Sequence, residues 1–210
     1  MTSGRVEFIN ALDGHAAAFA ARLDSGARER LADYFELVGR WNARMHLVAP
    51  CPPEEFAVRH VLESLVAAHH MGEGAHFADI GSGAGLPAIP CLAARPDLSA
   101  RLVEASAKKC VFLREAASAL VLRQRVEVIN SRFEAVPAPA ADAVTCRALE
   151  RFAEMLPKVL DWSPPTSRLL LFGGPALGEA IEGVGRLFDS VLIPESEQRF
   201  IYIVQPTTNL

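Results

Sequence analysis

Cysteine is scarce: the 210 residues hold four, Cys51, Cys91, Cys110 and Cys146, and none are spaced C-x-x-C. That excludes a disulfide framework or a zinc ribbon as the organising principle and leaves no metal to expect. The thiols read as reduced side chains of a cytoplasmic protein. Long apolar runs are missing too. No stretch approaches the roughly 18 residues that a membrane span requires. The start, Met1-Thr2-Ser3-Gly4-Arg5-Val6, has neither the basic nor the apolar region of a secretory signal. Net charge is small, −4, and taken as an average it leans away from nucleic acid. What is present is a 50% hydrophobic composition. It excludes a disordered or collagenous chain and suffices for one ordinary core, with or without an appendage.

Two textures divide the chain. Residues 1–70 read as a helical extension. Leu31, Phe35, Val38, Trp41 and Met45 recur in steps of three and four, the period of one helix face. The run Ala49-Pro50-Cys51-Pro52-Pro53 breaks that helix, and a second is expected from Glu54 to His70. Residues 71–210 change rhythm. Strands are expected near 75–80, 100–104, 126–130, 142–146, 168–172, 189–193 and 199–205, with helices near 85–94, 107–121, 149–161 and 176–187. Such alternation means βαβ units and a parallel sheet covered on both faces. The last two runs are joined by only a few residues around Pro194–Gln198. That permits a hairpin and no parallel crossover, so the last strand is expected to be antiparallel.

The most specific signal is Asp79-Ile80-Gly81-Ser82-Gly83-Ala84-Gly85-Leu86-Pro87, a strand entering a tight turn and then a helix. Glycine is required where φ is positive or a ligand must approach the backbone, and Pro87 suits a first helical turn. The dinucleotide fingerprint would place glycine at 86, where Leu86 stands. The next strand ends in Glu104, 23 residues after Gly81, where a carboxylate can accept from both ribose hydroxyls of an adenosine cofactor. A turn with no ligand and a merely solvated acid, or NAD binding, are the other readings.

The Gly81–Gly85 loop followed by Leu102-Val103-Glu104 resembles the cofactor site of class I S-adenosylmethionine-dependent methyltransferases. The resemblance then narrows. Arg40-Trp41-Asn42 to Leu47-Val48 resembles the K-W-N-x-x-x-N-L-T stretch of the bacterial small-subunit (16S) rRNA guanine-N7 methyltransferases, the glucose-inhibited division protein B family. Arg59-His60-Val61-Leu62-Glu63-Ser64 resembles its R-H-I-L-D-S. Gly81 to Pro90, Lys108 to Arg114, Ser131 to Glu134 and Cys146-Arg147-Ala148 resemble four further family runs, in order. The family implies a Rossmann-like α/β fold, S-adenosylmethionine as methyl donor with S-adenosylhomocysteine as product, and small ribosomal subunit RNA as partner. A monomer is expected, with neither metal nor membrane, although the sequence does not fix the oligomeric state. Carried over by residue, Gly81, Ser82, Gly83 and Leu86 would touch the cofactor, and Phe133 and Glu134 would flank its adenine. Arg147 would sit beside its methionine end, although Arg147 could instead be a surface residue paired with Glu150 or Glu154. The family's L-K-G after the fifth strand has no lysine here, where Leu171-Phe172-Gly173-Gly174 stands.

Guanine N7 carries a lone pair and no proton, so its methylation requires positioning and no general base. No catalytic side chain is assigned, and no His–carboxylate dyad stands out. Cys146 with Arg147 beside it is a nucleophile candidate for a carbon-5 cytosine enzyme, against the favoured reading of a small buried cysteine at a strand end. Residues 101–132 hold seven cations against three acids, a net of +4, so the remainder sums to −8. Lys108 and Lys109, placed against the helix dipole, and Arg59 are candidate RNA contacts. His60 reads as a core histidine with its polar atoms satisfied, the alternative being a place beside Arg59 on the same RNA-facing surface. A small-molecule or protein methyltransferase, and a non-catalytic adenosyl-ligand-binding module, are the alternatives.

Overall fold

The computed structural model describes residues 2–147 and 152–207. Helix α1 (Ser3–His15) is capped by Thr2, whose side chain accepts from the Arg5 amide. Helix α2 (Ser25–Met45) is capped by Asp24, which accepts from Ala27 N at 2.6 Å, and stops at His46, held in the left-handed region at φ 48°. Of its apolar stripe, Leu31 and Val38 are buried and Phe35, Trp41 and Met45 pack against the core from its edge. Tyr34, outside that stripe, is fully buried; its hydroxyl donates to Ala84 O at 2.7 Å and so ties α2 to the glycine loop.

The second expected helix is one continuous rod with an irregular middle. It runs through α3 (Pro53–Glu55), a π-helical segment (Phe56–Leu62) and α4 (Glu63–Ala68). The wider π turn carries the Arg59-His60 pair and leads directly into Glu63-Ser64.

The sheet begins with β1 (His76–Ile80), α5 (Ala88–Ala94), β2 (Ser99–Glu104), α6 (Ala107–Ala119) and β3 (Val126–Asn130). It continues with β4 (Ala143–Arg147), α7 (Phe152–Trp162), β5 (Arg168–Gly173), α8 (Pro175–Gly183), β6 (Phe188–Leu192) and β7 (Phe200–Val204). The helix expected over 149–161 is seen from Phe152; residues 149–151 lie outside the described residues. Strand order is β3-β2-β1-β4-β5-β7-β6, and β7 alone is antiparallel to its neighbours. The short return therefore does form a hairpin, but β7 inserts between β5 and β6 and does not close the edge. Its apolar Phe200-Ile201-Tyr202-Ile203-Val204 is buried on both faces there, whereas β6 is largely exposed.

Period-two alternation sends side chains to two cores. Phe77, Leu102, Leu170 and Phe172 face one; Ala78, Ile80, Val103, Val144, Leu169 and Leu171 face the other, against α7 and α8. Phe8 and Leu12 of α1 and Leu31 of α2 belong to the same core as Phe77 and Leu102. The helical part thus covers one face of the sheet. The strand order reverses between β1 and β4, and their C-terminal ends open a crevice of the kind in which open α/β sheets bind ligands.

Candidate functional site

The turn after β1 takes positive φ at Gly81 (65°), Gly83 (54°) and Gly85 (86°). A side chain at Gly85 would also strike Ile89, with an added Cβ only 2.4 Å from its Cγ1. The loop is sewn to β2 by Gly81 N and Ser82 N, both donating to Val103 O. Because the turn needs this length, the helix starts at Ala88 and Pro87 stands at its cap, one position earlier than the first-turn placement expected for it.

Glu104 closes the other side. Its Oε2 accepts from Gly83 N at 2.9 Å and its Oε1 from Ser106 N at 2.7 Å. Ser106 then caps α6 through Lys109 N. Beneath the loop lies Asp79, fully buried. Oδ1 accepts from Thr145 Oγ1 at 2.6 Å, while Oδ2 has no partner. Burial, reinforced by Glu104, pushes this carboxyl up to about 7 against the opposing bonds from Thr145 and Ser82.

Two cavities meet at Gly81 and Lys109. One, of about 500 Å³, is lined by Glu104, Ser106, Arg132, Phe133, Glu134 and Met155, among others. Phe133 is buried and set edge-on to Trp162 at 5.8 Å; Glu134 is exposed, 3.9 Å from Lys158 Nζ. The other, of about 310 Å³, is lined by Leu47, Val48, His60, Gly81 to Ala84, Leu86, Lys109 and Arg147. Gly81, Ser82, Gly83, Leu86, Glu104, Phe133, Glu134, Arg147 and Lys109 therefore converge on one crevice. Lys108 is exposed and lines neither cavity. Nor does Arg59, whose guanidinium pairs with Glu55 on its own helix.

Arg147, the last residue of β4, is anchored to the second helical rod. Nη1 donates to Ser64 Oγ at 3.2 Å, and Nη2 donates to Arg59 O at 2.6 Å and to Glu63 Oε2 at 3.2 Å. Its guanidinium lies 5.6 Å from the Phe172 ring centre. Of the surface partners considered for it, Glu150 lies outside the described residues. Glu63 is 1% exposed and is gripped from the opposite side by Arg199 at 2.8 Å. Burial raises the Glu63 carboxyl, and the two guanidiniums hold it down. Burial also lowers Arg147, opposed by Glu63. The Glu63-Ser64 pair was visible in the sequence only as part of a family run, and Arg199 carried no signal.

One alternative is removed and one expectation corrected. Burial, with Asp79 nearby, raises the Cys146 thiol well above its ordinary value, so this cysteine is no activated nucleophile, despite the arginine after it. His60 is not satisfied: its buried Nδ1 has no hydrogen-bond partner. Burial, with Arg147 and Arg59 adding to it, lowers this imidazole to about 4.

The profile of the family described as rRNA small subunit methyltransferase G matches residues 27–183. A relative named ribosomal RNA small subunit methyltransferase G from Neisseria gonorrhoeae is 37% identical over 158 residues, covering 75% of this chain and 72% of its own length. One of the same name from Desulfotalea psychrophila is 35% identical over 198 residues, covering 92% and 89%. Among solved structures, the mitomycin 7-O-methyltransferase MmcR shares the fold with a TM-score of 0.61 at 17% identity, over 82% of this chain and 60% of that one. An S-adenosylmethionine-dependent methyltransferase from Aquifex aeolicus does so at 0.56 and 17%, over 72% and 93%. With most of its length matched and its glycine loop, strand-end acid and anchored arginine at one crevice, the chain belongs to the rRNA small subunit methyltransferase G family.

Proposed function

We propose that this protein transfers a methyl group from S-adenosylmethionine to guanine N7 of small-subunit (16S) ribosomal RNA, as a cytoplasmic monomer without a metal. The residues present fit the cofactor. An added Cβ at Gly83 would meet only Gly81 O, at 3.6 Å, so the loop leaves open space for a ligand. Glu104 has lone pairs to spare for ribose hydroxyls, and the orphaned Oδ2 of Asp79 leaves a buried polar atom below the loop without a protein partner. When bound, the cofactor supplies a methyl already activated on a sulfonium.

Each side of the crevice then has a task. Glu104, Phe133 and Glu134 hold the adenosine end. Gly81, Ser82, Gly83 and Leu86 present backbone and an apolar wall to the middle. Arg147 and Lys109 place positive charge where a carboxylate of the methionine end would need it. Leu47, Val48 and Leu86 exclude water from the acceptor.

The observation that carries the reading is the composition of the smaller cavity: among the described residues its wall has no carboxylate, cysteine or tyrosine, and its histidine is held neutral. That wall suits an acceptor with a free lone pair and no proton to remove. Among the described residues no cluster of three or more His, Cys, Asp or Glu could hold a metal ion, and no helix is long and apolar enough to cross a membrane. The deciding experiment incubates the protein and labelled cofactor with small subunits from a strain lacking this modification. One guanine should be labelled at N7. Label on a small metabolite alone would favour the small-molecule reading, and binding without transfer the non-catalytic one.

A further inference from the structure

We propose that His60 reads the acceptor base: its Nε2–H donates a hydrogen bond to O6 of the guanine whose N7 receives the methyl group. This rests on the guanine-N7 reading above and adds a residue that chooses the base.

The tautomer follows from burial. Nδ1 is buried with no hydrogen-bond partner, and the imidazole packs edge-on against Phe56 with ring centres 5.1 Å apart. Among the described residues Nε2 makes no hydrogen bond either and, unlike Nδ1, it is not a buried orphan; the residue lines the smaller cavity. A buried N–H without an acceptor is a rarer and costlier orphan than a bare lone pair. The single proton of the neutral ring therefore sits on Nε2, which makes His60 a donor on the cavity side.

A donor there asks for an acceptor on the ligand. The major-groove edge of guanine offers two adjacent acceptors, N7 and O6, whereas adenine offers N7 beside an N6 amine, a donor. N7 alone cannot distinguish the purines; the neighbouring position can. His60 opposite adenine would set donor against donor.

Charge state matters as well. In the transfer the N7 lone pair forms the new N–CH3 bond, the S–CH3 bond breaks with its electron pair left on sulfur, and the purine takes over the positive charge; no proton moves. A cationic imidazole would repel that developing charge. His60 offers a dipole instead, because burial and the guanidiniums of Arg147 and Arg59 keep it neutral, with Glu55 opposing them. It is the one donor on this wall, among the described side chains, that is neither charged nor turned into the backbone, since Ser82 Oγ donates to Asp79 O.

The test pairs protein and base changes. First, the guanosine labelled by the wild-type chain is located. Small subunits are then reconstituted with 2-aminopurine at that position, which keeps N7 and lacks O6. Wild type, His60→Leu and His60→Gln are assayed on both, and cofactor affinity is measured by calorimetry. His60→Leu should lower kcat/KM on guanosine by about tenfold to a hundredfold, the loss of one hydrogen bond at a water-poor site. His60→Gln, which restores a donor, should recover most of it. Both variants should keep cofactor affinity within about twofold. Wild type on 2-aminopurine should lose about the same factor as His60→Leu on guanosine, and combining the two changes should cost nothing further. Losses that multiply, or a fall in cofactor affinity parallel to the fall in activity, would overturn the assignment. Should His60→Leu not fold, wild type indifferent to O6 overturns it equally. Absence of any labelled guanosine with wild type would remove the parent reading, whereas labelling indifferent to O6 removes this one alone.

Discussion

At Glu104 both carboxylate oxygens are engaged by backbone amides, Gly83 and Ser106, so one side chain organises the glycine loop and the α6 cap while facing the larger cavity. Glu104→Ala should weaken S-adenosylmethionine binding by roughly tenfold to a hundredfold, the size of one or two charge-assisted hydrogen bonds. Calorimetry checks it, and unchanged affinity would remove the ribose role. This position was legible in the sequence because an acid at the second strand's end, at a fixed distance from the glycines, has a chemical reason to be there. Asp79 was legible only as a motif letter: its orphaned Oδ2 depends on strand register, which sets Asp79 opposite Thr145 and Leu102. Its carboxyl is raised to about 7 in the fold, above the ordinary value of 3.8. The folded state therefore holds a proton that the unfolded chain has released between those values. Stability is fully present below about pH 4, falls as pH rises and levels off above about 7. Asp79→Asn cannot ionise. Urea midpoints taken near pH 5 and near pH 8 should differ less for the variant than for wild type.

Among the elements, α4, β4 and the approach to β7 are joined by a single buried carboxylate, Glu63, held by Arg147 and Arg199. The π segment helps to make this possible. Arg59 O, within it, accepts from Arg147, and Glu63 follows directly on its last residue. Glu63→Ala would leave two guanidiniums facing a site built for an anion. Breaking a buried pair costs about 3–5 kcal/mol; Arg199 is 39% exposed and can turn to water, so the lower end applies. Urea unfolding should show a loss of about 3 kcal/mol, with methyl transfer falling further than stability explains because Arg147 loses an anchor. Strand–helix alternation and the hairpin return were readable from periodicity and connection length. The insertion of β7 between β5 and β6 was not, since the hydrophobic pattern of β7 says that it is buried and says nothing of which neighbours bury it. The π segment left only a faint mark, a single five-residue step from Phe56 to Val61 where an α-helical stripe takes three or four.

Across the whole molecule the charge of −4 conceals where cations are free to act. The basic stretch 101–132 was legible as a surplus, yet part of it is structural. Arg101 pairs with Glu127, Arg125 donates to the carbonyls of Leu92, Arg95 and Leu98, and Arg114 donates to Val128 O. Lys108, Lys109 and Arg132 make no side-chain hydrogen bond or ion pair among the described residues, and two of the three, Lys109 and Arg132, line the crevice. A sequence sum could not separate the two groups, because what consumes Arg125 is the backbone of a distant turn. The separation makes the two adjacent lysines distinguishable. Phosphate contacts release counterions, so each one lost lowers the slope of log affinity against log salt by about 0.7–0.9. Lys108 is exposed and outside both cavities. Lys108→Gln should reduce the salt slope for small-subunit binding by about that amount while leaving S-adenosylmethionine affinity unchanged. Lys109 lines both cavities where they meet. Lys109→Gln should reduce the slope and also weaken the cofactor. Filter binding across a salt series, with calorimetry beside it, separates the outcomes. An unaltered slope for Lys108→Gln would make that lysine a solvated helix residue, and would shift the RNA contact to the Lys109–Arg132 rim, where acceptor and cofactor affinities cannot be changed independently.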